Sequence, residues 1–209
     1  MKKFELTGNN LSKSFIRNRF IFRDISISLT NSKMISIGGE NGSGKTTMLK
    51  ILSGIIPPTS GQVTLNIDGK LIPKDKISES IGFVSPYLIL YEEFSPIEHL
   101  QLFAKFHALT FDMDWAISML KSFNLEKRRN DQIKTFSSGM KQRVKYLVAL
   151  QHKPDLLFLD EPFTNLDKAG IDRVIEIAQN QRDIGGGVII ASNDEREKAL
   201  CSETVILSS

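Results

Sequence analysis

The stretch Gly39-Glu40-Asn41-Gly42-Ser43-Gly44-Lys45-Thr46-Thr47 constrains this chain more than any other. It fits the phosphate-binding loop pattern G-x-x-x-x-G-K-[ST], followed by a further Thr. Gly39, Gly42 and Gly44 let the backbone turn with its N–H groups inward. Those groups, with the positive end of the helix that follows, cradle nucleotide phosphates. The Lys45 ammonium can reach the β- and γ-phosphates, and the Thr46 hydroxyl can ligate Mg²⁺. Such a loop belongs between a strand and a helix. Residues 33–38 read as the strand and 48–54 as the helix, with Gly54 at its C-terminal stop. A merely flexible Gly/Ser connection does not explain Gly, Gly and Gly-Lys-Thr in register between two such elements.

The remainder of the chain reads as an α/β core around that loop. Residues 4–30 alternate as strands do, most cleanly where Ile25, Ile27 and Leu29 share one face and Ser26 and Ser28 the other. Phe15 or Phe20 could stack on an adenine ring; on sequence alone a core position is favoured for both. Residues 62–69 read as a strand ending in an Asp-Gly turn, and 81–85 as a short strand stopped by Pro86. From 86 to 135 strand signals give way to helical periodicity. Leu100, Phe103, Ala104 and Ala108 form one stripe, and Trp115, Met119 and Leu120 another. Ser137 and Ser138 open a further helix through about Gln151, with Val144, Leu147 and Val148 inward. Leu156-Leu157-Phe158-Leu159-Asp160-Glu161 is an apolar run ending in two carboxylates, the pattern of a strand buried on both faces. Ligands sit at that edge of open α/β sheets. A helix over 168–182, a strand over 187–192 with Asn193 emerging from it, and a last strand over 204–207 complete the chain.

The 209 residues suffice for one large domain. We expect a single domain over 1–209, with its core in 1–85 and 153–209 and an inserted helical subdomain over 86–152. With 41% apolar and 24% charged residues the composition is that of an ordinary globular protein. A net charge of +3 gives no argument for nucleic acid, and Lys127-Arg128-Arg129 beside Glu126 and Asp131 reads as solvated surface. A single cysteine, Cys201, excludes an internal disulfide and fits a reducing cytosol. Met1-Lys2-Lys3 leads into no long apolar run, so no signal peptide is expected. The apolar runs fall far short of the roughly 18 residues of a membrane span.

The two carboxylates narrow the chemistry. Asp160 can hold Mg²⁺ directly or through water, and Glu161 is placed to polarise an attacking water. At this point the chain resembles the ATP-binding cassette (ABC) ATPases, the nucleotide-binding subunits of ABC transporters. The resemblance covers nearly the whole chain, with motifs in family order. Its diagnostic piece is Phe136-Ser137-Ser138-Gly139-Met140-Lys141-Gln142-Arg143, similar to the family signature LSGGQ and its basic continuation. The resemblance implies that Ser137, Ser138 and Gly139 contact ATP held by a second subunit, at the N-terminus of the helix they open. It implies that Asp167, in Thr164-Asn165-Leu166-Asp167, crosses the dimer interface, and that Phe15 stacks on adenine. Glu98 matches a recurring acidic position of the helical subdomain. It further implies a P-loop fold with N-terminal antiparallel strands, ATP and Mg²⁺ as ligands, and a head-to-tail homodimer sandwiching two ATPs.

Two positions depart from the family. Pro86 stands where a glutamine ends the strand 81–85, and Asn193 stands where a histidine contacts the γ-phosphate. An asparagine amide still donates a hydrogen bond but carries no proton as imidazole does. Hydrolysis is therefore expected to be retained at a reduced rate. The expected function is the ATPase subunit of an ABC transporter, held at the cytoplasmic face by an integral membrane permease. A weaker resemblance, resting on short length, is to exporter-type cassettes such as the haem/cytochrome c maturation ATPase subunit. The alternatives are a soluble ABC ATPase of the iron–sulfur assembly kind, or a weakly active cassette beside an active paralogue. The aromatic-rich stretch 87–94 either packs under the helical subdomain or forms a groove for a short helix of the permease. No substantial extra C-terminal domain is expected.

Overall fold

Alternation over residues 4–30 resolves into a long antiparallel hairpin in the computed structural model, which describes residues 3–17 and 19–207. The expectation drawn from Met1 and Lys2 lies outside the described residues. The hairpin pairs β1 (Phe4–Ile16) with β2 (Arg19–Thr30). Next, β3 (Met34–Gly38) leads through the phosphate loop into α1 (Lys45–Leu52). Then β4 (Ser60–Ile67) pairs with β1 and turns into β5 (Lys70–Leu71), an element too short to show in the sequence pattern. Asp68 and Gly69 make that turn with φ of 50° and 77°, the geometry that suits a two-residue hairpin. These strands form one antiparallel sheet in the order β2-β1-β4-β5.

After β6 (Ile81–Val84) the chain turns helical through α2 (Pro96–Phe106), α3 (Met113–Ser122) and α4 (Ser138–Leu150). Each helix has a side-chain cap: Ser95 for α2, Asp112 for α3 and Ser137 for α4. Glu98 completes a capping box, its carboxylate accepting the Ser95 amide at 2.7 Å. Leu100 and Ala104 are buried as their stripe requires, but Ala108 is not on it. It lies beyond the end of α2 with φ of 52° and is exposed.

The chain then alternates β7 (Leu156–Asp160), α5 (Lys168–Asp183), β8 (Gly187–Ala191), the short α6 (Glu195–Lys198) and β9 (Glu203–Ile206). The second sheet is parallel, in the order β6-β7-β8-β3-β9. It is the central layer, and alternate residues of each strand serve different cores. Leu156, Phe158, Ile189, Ile35 and Ile37 pack towards α1 and the antiparallel sheet. Leu157, Leu159, Val188, Ile190 and Met34 pack towards the helices, with Leu100, Leu120, Val144, Leu147 and Ala178. A strand buried on both faces has no polar alternation to show, which explains its unbroken apolar run. Because the strands are parallel and adjacent, the C-terminal ends of β3, β6, β7 and β8 open on one edge.

Candidate functional site

Four strands deliver their next residues to that edge. The phosphate loop follows β3, Ser85 follows β6, Glu161 follows Asp160 at the end of β7, and Asn193 lies two residues beyond β8. Gly39, Gly42 and Gly44 have φ of 139°, 86° and 97°, a region costly for any residue with a Cβ. A Cβ on Gly42 would meet nothing within 4 Å, so open space lies beside the loop there. Among the described α-helices, α1 is the one that begins without a side-chain cap. Its first N–H groups are left to a ligand. The cleft beside the loop holds about 470 Å³ and is lined by Asn41, Gly42, Lys45, Thr47, Tyr87 and Glu161 among others.

Lys45 is buried and folds back onto its own loop, donating to the Gly39 carbonyl at 2.8 Å and the Glu40 carbonyl at 3.1 Å. Burial lowers its proton affinity, while nearby Glu161 and Asp160 act the other way. The Thr46 hydroxyl donates to both Asp160 carboxylate oxygens, at 3.0 and 2.8 Å. The Ser85 hydroxyl donates to Asp160 Oδ2 at 3.0 Å. Burial pushes the Asp160 carboxyl up, and the two hydroxyl bonds pull it back. These donors are hard oxygens around one buried carboxylate, which suits Mg²⁺ held jointly with phosphate. The Ser43 hydroxyl is buried inside the loop with no hydrogen-bond partner. An orphaned polar group in a phosphate cradle fits an anionic ligand.

Glu161 sits at a strained turn with φ of 47°, its amide tied to the Ala191 carbonyl at 2.9 Å. It lines the phosphate-loop cleft and also a neighbouring cleft of about 310 Å³ with Ser192 and Asn193. Asn193 Nδ2 donates to Asn41 Oδ1 at 2.7 Å. Behind Glu161 lies Glu197, whose Oε1 accepts the Phe163 amide at 2.8 Å and whose carboxyl is pushed up, chiefly by burial.

The edge therefore gathers Lys45, Thr46, Asp160, Glu161, Asn41 and Asn193. Ser137, Ser138, Gly139 and Asp167 form a separate group that lines neither cleft. Ser137 caps α4, accepting the Met140 amide at 3.3 Å. A Cβ on Gly139 would come within 2.6 Å of the Asn165 carbonyl, so glycine permits that close approach. Asp167 caps α5 through the Gly170 amide at 2.8 Å and pairs with Arg143 at 2.7 Å. Arg128, from the solvated basic run, stacks over Phe136 at 4.8 Å and steadies this segment.

The core position favoured for Phe15 and Phe20 on sequence alone is corrected. Phe15 is not a core residue: it is 64% exposed, with the Lys13 ammonium 4.8 Å over its ring, and Phe22 fills the core instead. Phe20 is half-buried with Arg23 stacked on it. Within 87–94 the surface is not uniform. Tyr87, Ile89 and Tyr91 are exposed, whereas Leu90 is only 6% exposed and belongs to the core. Two residues with roles here escaped the sequence reading. Ser85 carried the same signal as Asp160, a polar residue ending a buried strand. Lys145 carried a weaker one, a cation within the apolar run of α4.

The ABC transporter family profile matches residues 22–164. The linearmycin resistance ATP-binding protein LnrL of Bacillus subtilis (strain 168) is 32% identical over 207 residues. That match covers 97% of this chain and 66% of LnrL, so the chain spans about two thirds of that relative's length. The solved structure of an ATP-binding subunit of an ABC transporter superposes with a TM-score of 0.84 at 27% identity, over 97% of this chain and 85% of that one. A dimeric, post-hydrolysis ATP-binding cassette bound to ADP and Pi superposes with a TM-score of 0.82 at 22% identity, over 97% and 94% of the two chains, a likeness of fold.

Proposed function

The chain belongs to the ABC transporter family, and from that premise we propose that it is the ATP-binding and ATP-hydrolysing subunit of a membrane transporter. The observation that carries the reading is the Thr46–Asp160 contact at 2.8 Å beside Lys45 and Glu161, on one sheet edge. Lys45 exchanges the Gly39 and Glu40 carbonyls for phosphate oxygens, which are better acceptors for an ammonium. Thr46 and Asp160 would hold Mg²⁺, which when bound would supply neutralisation of the phosphate charge. Glu161 orients a water and takes its proton as the water oxygen bonds to the γ-phosphorus. The bond from that phosphorus to the bridging oxygen breaks, and ADP leaves with phosphate as the second product. Asn193 donates to the γ-phosphate after releasing Asn41.

Ser137, Ser138, Gly139 and Asp167 serve a second cassette, since they lie outside this chain's own cleft. An isologous pair places the start of α4 of each copy over the phosphate loop of the other. Phe15, exposed near the start of the chain, is free to meet the base. Segment 86–152 acts as a helical subdomain facing the permease, with Tyr87 and Ile89 as its exposed apolar contacts. No described helix is long and apolar enough to cross a membrane, so a partner would hold the chain at the cytoplasmic face. The Asn193–Asn41 bond favours one other reading, a slow cassette working beside a faster paralogue.

ATP turnover by the purified chain across protein concentrations tests the proposal. A rate per subunit that rises with concentration supports a competent pair. Absence of both ATP binding and turnover at every concentration refutes the ATPase reading.

A further inference from the structure

Lys145 lies two turns into α4 and is only 7% exposed. It donates to the Pro86 carbonyl at 2.6 Å and to the Ser85 carbonyl at 3.1 Å. The β6–β7 ladder ends at Val84 opposite Leu159 and β6 is the edge of the sheet, so the ladder supplies neither carbonyl with a donor. The Ser85 carbonyl also accepts the Leu88 amide at 3.1 Å, so Lys145 adds a second donor there and supplies one to Pro86. Packing alone does not call for lysine here. Val144, Leu147 and Val148 around it are apolar and buried, and burial lowers the proton affinity of Lys145. The cost is offset only if the position of those carbonyls matters.

Ser85 gives the reason. The residue whose carbonyl Lys145 grips donates its hydroxyl to Asp160 Oδ2 at 3.0 Å, and Asp160 in turn accepts from Thr46 of α1. Ser85 and Asp160 are both buried. A continuous chain of hydrogen bonds therefore runs from α4 to the phosphate loop's own helix. Along α4, Lys145 stands about 12 Å from Ser137, the cap at the helix start.

We infer that Lys145 is a positioning residue: it fixes the end of β6 from α4 and, through Ser85, orients Asp160 for the metal of Mg·ATP. The inference rests on the ATPase reading above. Titration calorimetry with ATP, in excess Mg²⁺ and in chelator, tests it on the wild type, Lys145→Met, Ser85→Ala and the double variant. Lys145→Met is expected to bind ATP in chelator within about twofold of wild type and to lose about tenfold in the Mg²⁺-dependent part of affinity. Ser85→Ala is expected to show the same loss, and the double variant no more than either single one. Equal losses with and without Mg²⁺, or losses that add in the double variant, overturn the inference. If Lys145→Met does not fold, Ser85→Ala with full Mg²⁺-dependent affinity overturns it alone. Failure of the wild type to bind ATP strikes the ATPase reading instead.

Discussion

Asn193 Nδ2 donates to Asn41 Oδ1 at 2.7 Å, tying the segment after β8 to the phosphate loop across 152 residues of sequence. An exposed bond of this kind contributes about 0.5–1.5 kcal/mol, so phosphate can displace it. If Asn193 donates to the reacting phosphate as proposed, Asn193→Ala is expected to leave ATP affinity within about threefold and to lower kcat about tenfold. Steady-state turnover at saturating ATP decides this. Wild-type kcat in the variant would rule out a γ-phosphate role for Asn193.

Lys45 and Glu161 line one cleft, and the proposed mechanism gives them different steps. Removing an ammonium that binds phosphate costs about 1.5–3 kcal/mol, so Lys45→Ala is expected to weaken ATP binding about 10- to 150-fold. Glu161→Gln keeps the shape and removes the base, and kcat should fall about 10²- to 10⁴-fold with ATP still bound. Calorimetry and single-turnover kinetics separate the two. If Glu161→Gln lost binding and kept its chemical rate, the base would have to be sought elsewhere.

The legible parts of the fold are those where one physical requirement acts alone. Leu156 to Leu159 must satisfy two apolar faces, so strand and emerging carboxylates can be read directly. The phosphate loop shows its glycines because their φ values admit little else. The core position that alternation alone favours for Phe15 fails because alternation loses phase where the β1–β2 register shifts, between Leu11 and Ile16. The face of Leu90 was hidden because 87–94 has no period at all. Strand order also lies beyond local pattern, since β9 joins β3 through partners as distant as Ser36 and Thr204. The role of Lys145 depends on carbonyls 60 and 59 residues away.

Cys201 is a free thiol whose pKa burial pushes up to about 12, with Ser36 pulling the other way. An unfolded thiol ionises near about 8.5. The folded value is the higher one, so the linked stability is fully present below about pH 8.5 and is lost as pH rises towards 12. At pH 8 the native thiol should react with an alkylating reagent roughly a thousandfold more slowly than the denatured chain. Equal rates in native buffer and in denaturant would show that the thiolate is not suppressed.

Ile89 is 89% exposed, and it neighbours Leu90, which is buried in the helical core. The pair separates docking from folding. An isolated apolar side chain in water gains by being covered, and a carboxylate in its place repels an apolar partner. Ile89→Asp is expected to change stability by less than about 0.5 kcal/mol, as surface substitutions do. Its ATP turnover as an isolated chain should equal the wild type, because Ile89 does not line the phosphate-loop cleft. Co-purification with the permease should be lost. Leu90→Asp would instead bury a charge and destabilise the chain by about 4 kcal/mol or more, so lost association there reports only unfolding. Undiminished association of the permease with Ile89→Asp would remove this surface from the interface and leave the nucleotide site unaffected.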